Sequence, residues 1–361
     1  MSEQEALKAV RDSIDRIDRE LVRLLNERAL CALKVAEIKR DAGLGTDLYR
    51  PDREAQVLRQ IKAINPGPLP NDEVARLIRE VMSGCLAIEQ PITVAYFGPA
   101  GTYTHTAARK HFGGAVTLAP CSSIDEVLRT VASRSADFGV VPIENSQEGS
   151  VNQTLDGLRD TSLSICGEVL LEVHHQLLSK AGALADVARI RAHPQALAQC
   201  RHWLDAHCPD AERLSASSNA EAARIVAGEA DAAAIAGEMA ATLYELPILA
   251  RNIEDDPSNT TRFLVLGRLQ VAPSGHDRTS LLFMTPNRPG ALHDILEAFA
   301  LEGISLSRIE SRPQPLGRWE YVFFVDIEGH QSDPQVARAL VKVQERASLL
   351  RVLGSYPHAV L

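Results

Sequence analysis

Apolar residues recur at helical spacing over the first forty positions: Leu7, Val10, Ile14, Ile17, Leu21, Leu24, Leu25, Val35 and Ala36. At about 100° per residue they form one stripe, which predicts a single amphipathic helix ending near Asp41, before Gly43 and Gly45. Arg16, Arg19, Arg23 and Lys34 fall on the opposite side. Arg28 and Lys39 project near the middle of the apolar stripe, where a buried charge needs an anionic partner. A second helix should open at Pro51, with Asp52 and Glu54 at its positive end, and stop at Asn65-Pro66-Gly67. A third should run from Asn71 or Asp72 to about Glu89. Glu54 falls among Val57, Leu58, Ile61 and Ile64, with Arg59 and Lys62 pointing away. Glu89 lies at the edge of the stripe Val74, Leu77, Ile78, Val81, Cys85 and Ile88. Residues 1–90 therefore predict a three-helix unit with four inward ionisable groups. With one helix near 60 Å long, such a unit buries little alone, so a dimer of paired long helices is expected.

The pattern changes at Ile92. A short β-rich run, Ile92-Thr93-Val94-Ala95-Tyr96-Phe97, leads into the loop Gly98-Pro99-Ala100-Gly101. Strand-like runs at 137–141, 163–168, 188–191, 232–235 and 263–266 then alternate with helix-like runs at 123–133, 195–207 and 219–228. This alternation predicts an α/β unit over 91–271, large enough for two lobes around a cleft. After Ala272-Pro273-Ser274-Gly275 a third pattern covers 277–361: strands at 279–284, 304–309, 318–326 (after a Gly317 turn) and 349–353, with helices at 291–301 and 333–344. The order βαββαβ predicts a ferredoxin-like α+β domain.

Composition narrows the function classes. The chain has 361 residues, 45% hydrophobic and 24% charged, with a net charge of −9. The acidic balance argues against a nucleic-acid partner, and no apolar run reaches the roughly 20 residues of a membrane span. The acidic start Met1-Ser2-Glu3 does not read as a signal peptide, so the expected location is cytoplasmic. Six scattered cysteines without a CxxC pair read as free thiols. Cys200, His202, His207 and Cys208 match no zinc spacing and read as parts of an ordinary helix, so neither a metal nor another cofactor is expected.

Arg28 and Lys39 lie about 20° out of alignment and roughly 16 Å apart along the helix, a spacing that suits the two ends of a small dicarboxylate. An internal salt-bridge network is the competing reading. Arg11, Arg28, Lys39, Arg53-Glu54 and an acid at Glu89 resemble the all-helical chorismate mutases fused to phenylalanine-pathway enzymes. The resemblance implies an intertwined dimer with two equivalent sites, each taking Arg11 from the partner chain. It further implies that Arg11 and Arg28 clamp the carboxylates of chorismate and that Lys39 reaches the ether oxygen beside Glu89. Glu54 would hold the ring hydroxyl, with Arg50, Arg53 and Cys85 around the substrate. Relatives often carry an acid at the position of Arg50 and a serine at that of Cys85.

In the central segment, Thr102-Tyr103-Thr104 opens a helix after a glycine turn. Pro142-Ile143-Glu144-Asn145-Ser146 ends a buried strand, where α/β sites occur. Asn259-Thr260-Thr261-Arg262-Phe263 precedes the last strand. With His193-Pro194-Gln195, these clusters resemble prephenate dehydratase, whose fold is two α/β lobes like a periplasmic binding protein. The resemblance implies that Thr261 assists the departing hydroxyl of prephenate and that Arg262 meets a substrate carboxylate, with Glu144 and His193 as alternative acids. Thr102, Thr104, Asn145, Ser146, Asn259 and Phe263 would line the site. In the last segment Gly290-Ala291-Leu292 and Glu310-Ser311-Arg312-Pro313 resemble the ACT regulatory domain, implying an L-phenylalanine effector site at a domain–domain dimer interface. Two further readings stay open: a dehydratase whose helical segment serves mainly for dimerisation, and a two-lobed amino-acid sensor without chemistry.

Overall fold

The computed structural model describes residues 2–42, 49–313 and 321–361. The expected breaks at Gly43 and Gly45, and the Gly317 turn with the start of its strand, lie outside the described residues.

Helix α1 (Glu3–Asp41) opens with a reciprocal cap: the Ser2 hydroxyl accepts from the Glu5 amide, and the Glu5 carboxylate accepts from the Ser2 amide. Helix α2 (Pro51–Ile64) starts with proline at its first turn and packs on α3 (Asn71–Glu89) through Ala55, Leu58 and Ala75. Ala36 is the only described residue of α1 that is fully buried, and Leu7, Ile14, Ile17 and Leu21 stay about half exposed at 49–51%. The expected stripe exists, but within one chain most of it faces outward. Arg59 and Lys62 do not point to solvent as the pattern suggested. They donate to the carbonyls of Ser274 and Val360, docking α2 onto the C-terminal segment.

The first α/β lobe contains β1 (Thr93–Phe97), α4 (Tyr103–Phe112), β2 (Thr117–Cys121), α5 (Ile124–Ala132), β3 (Phe138–Asn145), β4 (Gly149–Ser150), α6 (Asn152–Asp160) and β5 (Ser164–Glu172). The chain then crosses to a second lobe. This comprises β6 (Gln176–Ser179), β7 (Arg189–Ala192), α7 (Pro194–Gln199), α8 (Arg201–His207), β8 (Glu212–Ser215), α9 (Asn219–Val226), β9 (Ala232–Ala236), α10 (Glu238–Leu243) and β10 (Ile248–Ala250). It returns as β11 (Thr260–Gly267), which enters the first sheet between β3 and β5. The strand orders are β2-β1-β3-β11-β5, with β4 on β3, and β10-β6-β9-β7-β8. The expected helix over 195–207 is two helices meeting at Cys200. The Asp255 carboxylate accepts from the amides of His202 and Trp203 and so caps a new start there.

The last domain contains β12 (Asp277–Met284), α11 (Ala291–Leu301), β13 (Leu306–Pro313), β14 (Tyr321–Glu328), α12 (Pro334–Arg346) and β15 (Leu349–Pro357), in sheet order β13-β14-β12-β15. Its helices cover one face of the sheet. The other face shares a core with the first lobe: Leu282, Phe324, Leu353 and Tyr356 pack with Ile143, Leu155, Ile165 and Leu264. At Gly354 the approach is so close that a Cβ would sit 2.2 Å from the Ile165 carbonyl oxygen. The fold is thus helical, two-lobed α/β and ferredoxin-like α+β in turn, with the last two units fused through one core.

Candidate active sites and the effector domain

The helical unit brings its inward ions together. An Arg28 Nη donates to Cys85 Sγ at 3.0 Å. Glu89 is raised above the ordinary carboxyl range by burial, against the opposing charges of Lys39 and Arg28. Glu54 is raised by burial too, opposed by Arg79 and then Arg28. Arg28, Lys39, Glu54, Cys85 and Glu89 therefore surround one region between the helices. Arg79 was missed by the sequence reading because it falls outside the apolar stripe of α3. It is 8% exposed, sits 3.0 Å from Glu54, and donates to the carbonyl of His111 on α4 at 2.6 Å. Arg11 is exposed and about 25 Å along α1 from Arg28, so the two side chains lie far apart within one chain. Arg50 pairs with Asp52 at 2.5 Å, and Arg53 is exposed on α2.

Between the α/β lobes lies a cleft of about 550 Å³, the size of a small-molecule site. The first lobe lines it with Thr102, Tyr103 and Thr104 at the start of α4, with Asn145 and Ser150, and with Asn259, Thr261 and Phe263. The second lobe contributes His193, Gln195, Gln199, Ser218 and Asn219. Among the described lining residues there is no lysine or arginine, and Glu148 is the single carboxylate.

Asn145 organises the chemistry. Its amide nitrogen donates to Thr261 Oγ1 at 2.8 Å and to Asn259 Oδ1 at 2.7 Å, using both protons. Its oxygen accepts from the amides of Gln147 and Glu148. Thr261 thus accepts a bond on its oxygen and keeps its own proton for the cleft. Thr104 is 5% exposed yet lines the same space. His193 caps α7 and holds Asn219 through its backbone amide. Ser146 clips the start of β11, its hydroxyl accepting from the Thr260 amide at 3.0 Å. Sequence reasoning also missed His175, buried at the crossing from β5 to β6. Tyr103 bonds its Nδ1 at 2.9 Å and Gln199 its Nε2 at 2.8 Å, and burial lowers its pKa. The adjacent pair His174-His175 between two apolar strands was the available signal.

Two expectations need correction. Arg262 does not face the cleft. Side chains alternate along β11, so Thr261 and Phe263 share one face while Arg262 enters the other, where it pairs with Glu168, Asp326 and Tyr356. Glu144 also turns away, 3.4 Å from Arg308 of the last domain. The register between β11 and β3 slips at this point, with Arg262 opposite Glu144 and Phe263 opposite Pro142.

In the last domain Gly290, Ala291 and Leu292 line a pocket of about 320 Å³ with Asn287, Tyr321 and Phe323. Gly290 holds φ at 79°, a conformation that favours glycine. The second motif does not join this pocket within one chain. Glu310 accepts from the Ser150 hydroxyl at 2.9 Å, and Arg312 pairs with Asp156 at 3.0 Å, both in the first α/β lobe. Ser311 and Pro313 alternate to the exposed face of β13. Cys200 and Cys208 are buried in the apolar core of the second lobe while the His202 side chain is exposed, so these residues do not converge.

Family models match in the same order along the chain: "Chorismate mutase type II" over residues 10–90, "Prephenate dehydratase" over 94–271 and "ACT domain" over 279–345. The chain is 52% identical over its full length to the full length of a bifunctional chorismate mutase/prephenate dehydratase from Pseudomonas aeruginosa. It is 44% identical to the Aquifex aeolicus protein of that name, covering 99% of both chains. The crystal structure of prephenate dehydratase from Arthrobacter aurescens in complex with L-Phe superposes with a TM-score of 0.69 at 38% identity, covering 74% of this chain and 90% of that one. This chain belongs to the family of bifunctional chorismate mutase/prephenate dehydratases with a C-terminal ACT domain.

Proposed function

We propose that the helical unit converts chorismate to prephenate and that the cleft converts prephenate to phenylpyruvate, water and CO₂, in the synthesis of phenylalanine. The observation that carries this reading is the pairing, in one chain, of an inward cation cluster with a cleft whose described lining has no lysine or arginine and in which Asn145 donates to Thr261 Oγ1.

The first reaction is a pericyclic rearrangement. It needs a compact conformer and stabilisation of negative charge developing on the ether oxygen, not a nucleophile. Arg28 is placed to clamp a carboxylate, and Lys39 with protonated Glu89 to donate to the ether oxygen. Glu54, Arg50, Arg53 and Cys85 border the ring end. Arg11 lies too far along α1 to complete the same site. The half-exposed stripe of α1 supports a homodimer in which the partner copy supplies it.

In the second reaction the ring carboxylate leaves as CO₂. Its bonding pair enters the ring, which becomes aromatic, and the ring hydroxyl departs as water with a proton taken up from solvent. Thr261 donates a hydrogen bond to that hydroxyl, supported by Asn145 and Asn259. A threonine hydroxyl is a weak acid, so it stabilises the leaving group by hydrogen bonding. With Arg262 turned away, the starts of α4 and α9 and the Thr104 and Ser218 hydroxyls are the groups that suit the carboxylates. His193 remains in the cleft as an alternative acid, whereas Glu144 does not. L-Phenylalanine as effector fits the pocket at Gly290–Ala291–Leu292. No described helix is long and apolar enough to cross a membrane.

A coupled assay tests the whole reading: chorismate is supplied and phenylpyruvate followed. Its appearance supports both activities. Prephenate accumulating without phenylpyruvate removes the cleft chemistry. Turnover of prephenate but not chorismate leaves the helices as a dimerisation module, and no turnover of either leaves a sensor.

A further inference from the structure

We infer that Arg262 is a positioning residue for Thr261, and that the C-terminal domain supplies two of the three partners that clamp it. The inference rests on the reading of Thr261 given above.

Arg262 is 8% exposed, and each of its nitrogens has a partner. Nε donates to Glu168 Oε2 at 2.8 Å, Nη1 to Asp326 Oδ2 at 2.6 Å and Nη2 to the Tyr356 hydroxyl at 2.8 Å. Glu168 belongs to β5, beside β11. Asp326 and Tyr356 belong to β14 and β15 of the C-terminal domain. These partners are themselves fixed. Ser280 bonds Asp326 Oδ1 at 2.5 Å and the Tyr356 oxygen at 2.7 Å, and Arg278 donates to Glu168 at 2.6 Å. Two guanidinium groups thus face two carboxylates in a buried cluster. Burial alone would raise the Glu168 carboxyl, but His358, Arg262 and Arg278 overcome it and hold it down at about 2, so Glu168 stays ionised at neutral pH.

Stability alone does not call for such a cluster. Apolar side chains of similar volume often serve a core as well or better, and in some proteins a buried ion network instead fixes one arrangement of the chain. The backbone shows why one arrangement has to be fixed here. β11 lies between β3 and β5, but its pairing with β3 slips between Arg262 and Phe263, next to Thr261. The pairing with β3 is thus irregular where the hydroxyl needs its direction defined to a fraction of an ångström. A planar fork with three partners supplies that definition from the far face of the sheet. A substrate contact for Arg262 would require the guanidinium to leave all three partners and cross the sheet.

The test uses the full-length protein, with steady-state kinetics on prephenate for Arg262→Gln, Arg262→Lys, Asp326→Asn and the double variant Arg262→Gln/Asp326→Asn. Positional loss of a reacting group costs about 100-fold, so kcat is expected to fall about 100-fold in Arg262→Gln and about 10-fold in Arg262→Lys, with KM within about twofold of wild type. Asp326→Asn touches no residue lining the cleft. It is expected to lower kcat about fivefold, and the double variant to be no worse than Arg262→Gln, because members of one network are not additive. Mutase turnover on the same preparations stays at the wild-type value.

A KM raised more than about tenfold with kcat retained would instead mark a substrate contact. Wild-type kcat in Asp326→Asn, or a multiplicative double variant, also overturns the clamp. Should Arg262→Gln fail to fold, Tyr356→Phe removes one hydroxyl only; kcat lowered about threefold at constant KM supports the clamp, and an unchanged kcat rejects it. Wild-type protein that leaves prephenate intact overturns the Thr261 reading and the clamp together. Active wild type beside an unaffected Arg262→Gln overturns the clamp alone.

Discussion

The helical site and the cleft are built from opposite materials. Around Arg28 the helices gather three cations (Arg28, Lys39 and Arg79) and two carboxylates, whereas the described lining of the cleft contains no lysine or arginine and one carboxylate. The chemistry accounts for the contrast. A pericyclic rearrangement offers no nucleophilic step, so holding a compact dianion and stabilising the charge that develops on the ether oxygen, both tasks for fixed charges, are the available means. In the dehydration, formation of an aromatic ring supplies the driving force, and oriented hydrogen-bond donors suffice to help the hydroxyl leave. The two sites also differ in completeness. The cleft is closed by two lobes of one chain, while the helical site leaves most of its apolar stripe and Arg11 exposed among the described residues of one chain.

The sharpest way to break this comparison is Thr261→Ala. Loss of a hydrogen bond made to the leaving group in the transition state is expected to cut dehydratase kcat by roughly 100- to 1,000-fold. Chorismate turnover should not change, since α1–α3 hold the other site. Near-normal prephenate turnover would move the chemistry to another cleft residue, with His193 first among those remaining.

Next in size is the dependence of the helical site on a second copy. Leu21 is 51% exposed on the α1 stripe, so Leu21→Asp leaves the single chain's packing nearly intact while placing a charge where a partner helix would lie. Sedimentation should show monomers. Mutase kcat/KM should fall about 100-fold, the effect of losing an arginine–carboxylate contact of about 3 kcal/mol. Dehydratase activity should persist. A dimer of unchanged affinity, or a monomer with full mutase activity, would separate Arg11 from the chemistry.

Much of this organisation is legible in the sequence, and the omissions share a cause. The strands expected at 137–141, 232–235 and 263–266 are central in their sheets and buried on both faces, so they read as continuous apolar runs. The strands that went unread include β2, β8 and β10, all at sheet edges, short and partly exposed. The ferredoxin-like domain reads well because its turns carry glycine and its helices have clean apolar faces. At the site, the polar clusters at strand ends were visible as residue types, but their facing was not. Arg262 seemed to point at a substrate because its three partners, Glu168, Asp326 and Tyr356, lie 64–94 residues away in sequence. Arg79 was overlooked for a similar reason: it falls off the stripe that faces α1 and on the face that meets α4. Periodicity shows that a residue is inward-facing, but the identity of the surface it meets comes from tertiary packing.

The smallest expected effect concerns Glu89, and it separates a catalytic acid from a bystander within the helical cluster. Burial raises its carboxyl above the ordinary range, opposed by Lys39 and then Arg28. A raised pKa keeps the proton on at pH values where an exposed glutamate has lost it. Only the protonated form donates to an ether oxygen; the carboxylate would repel the charge developing there. Mutase kcat/KM is therefore expected to be highest below the Glu89 pKa and to fall as pH rises through it, with a change of several-fold across the transition. Glu89→Gln keeps a donor of similar shape at every pH. Its profile should be flat through that range and cross above the wild type at the alkaline end. Two superimposable profiles would take Glu89 out of the reaction and leave Lys39 as the donor to the ether oxygen.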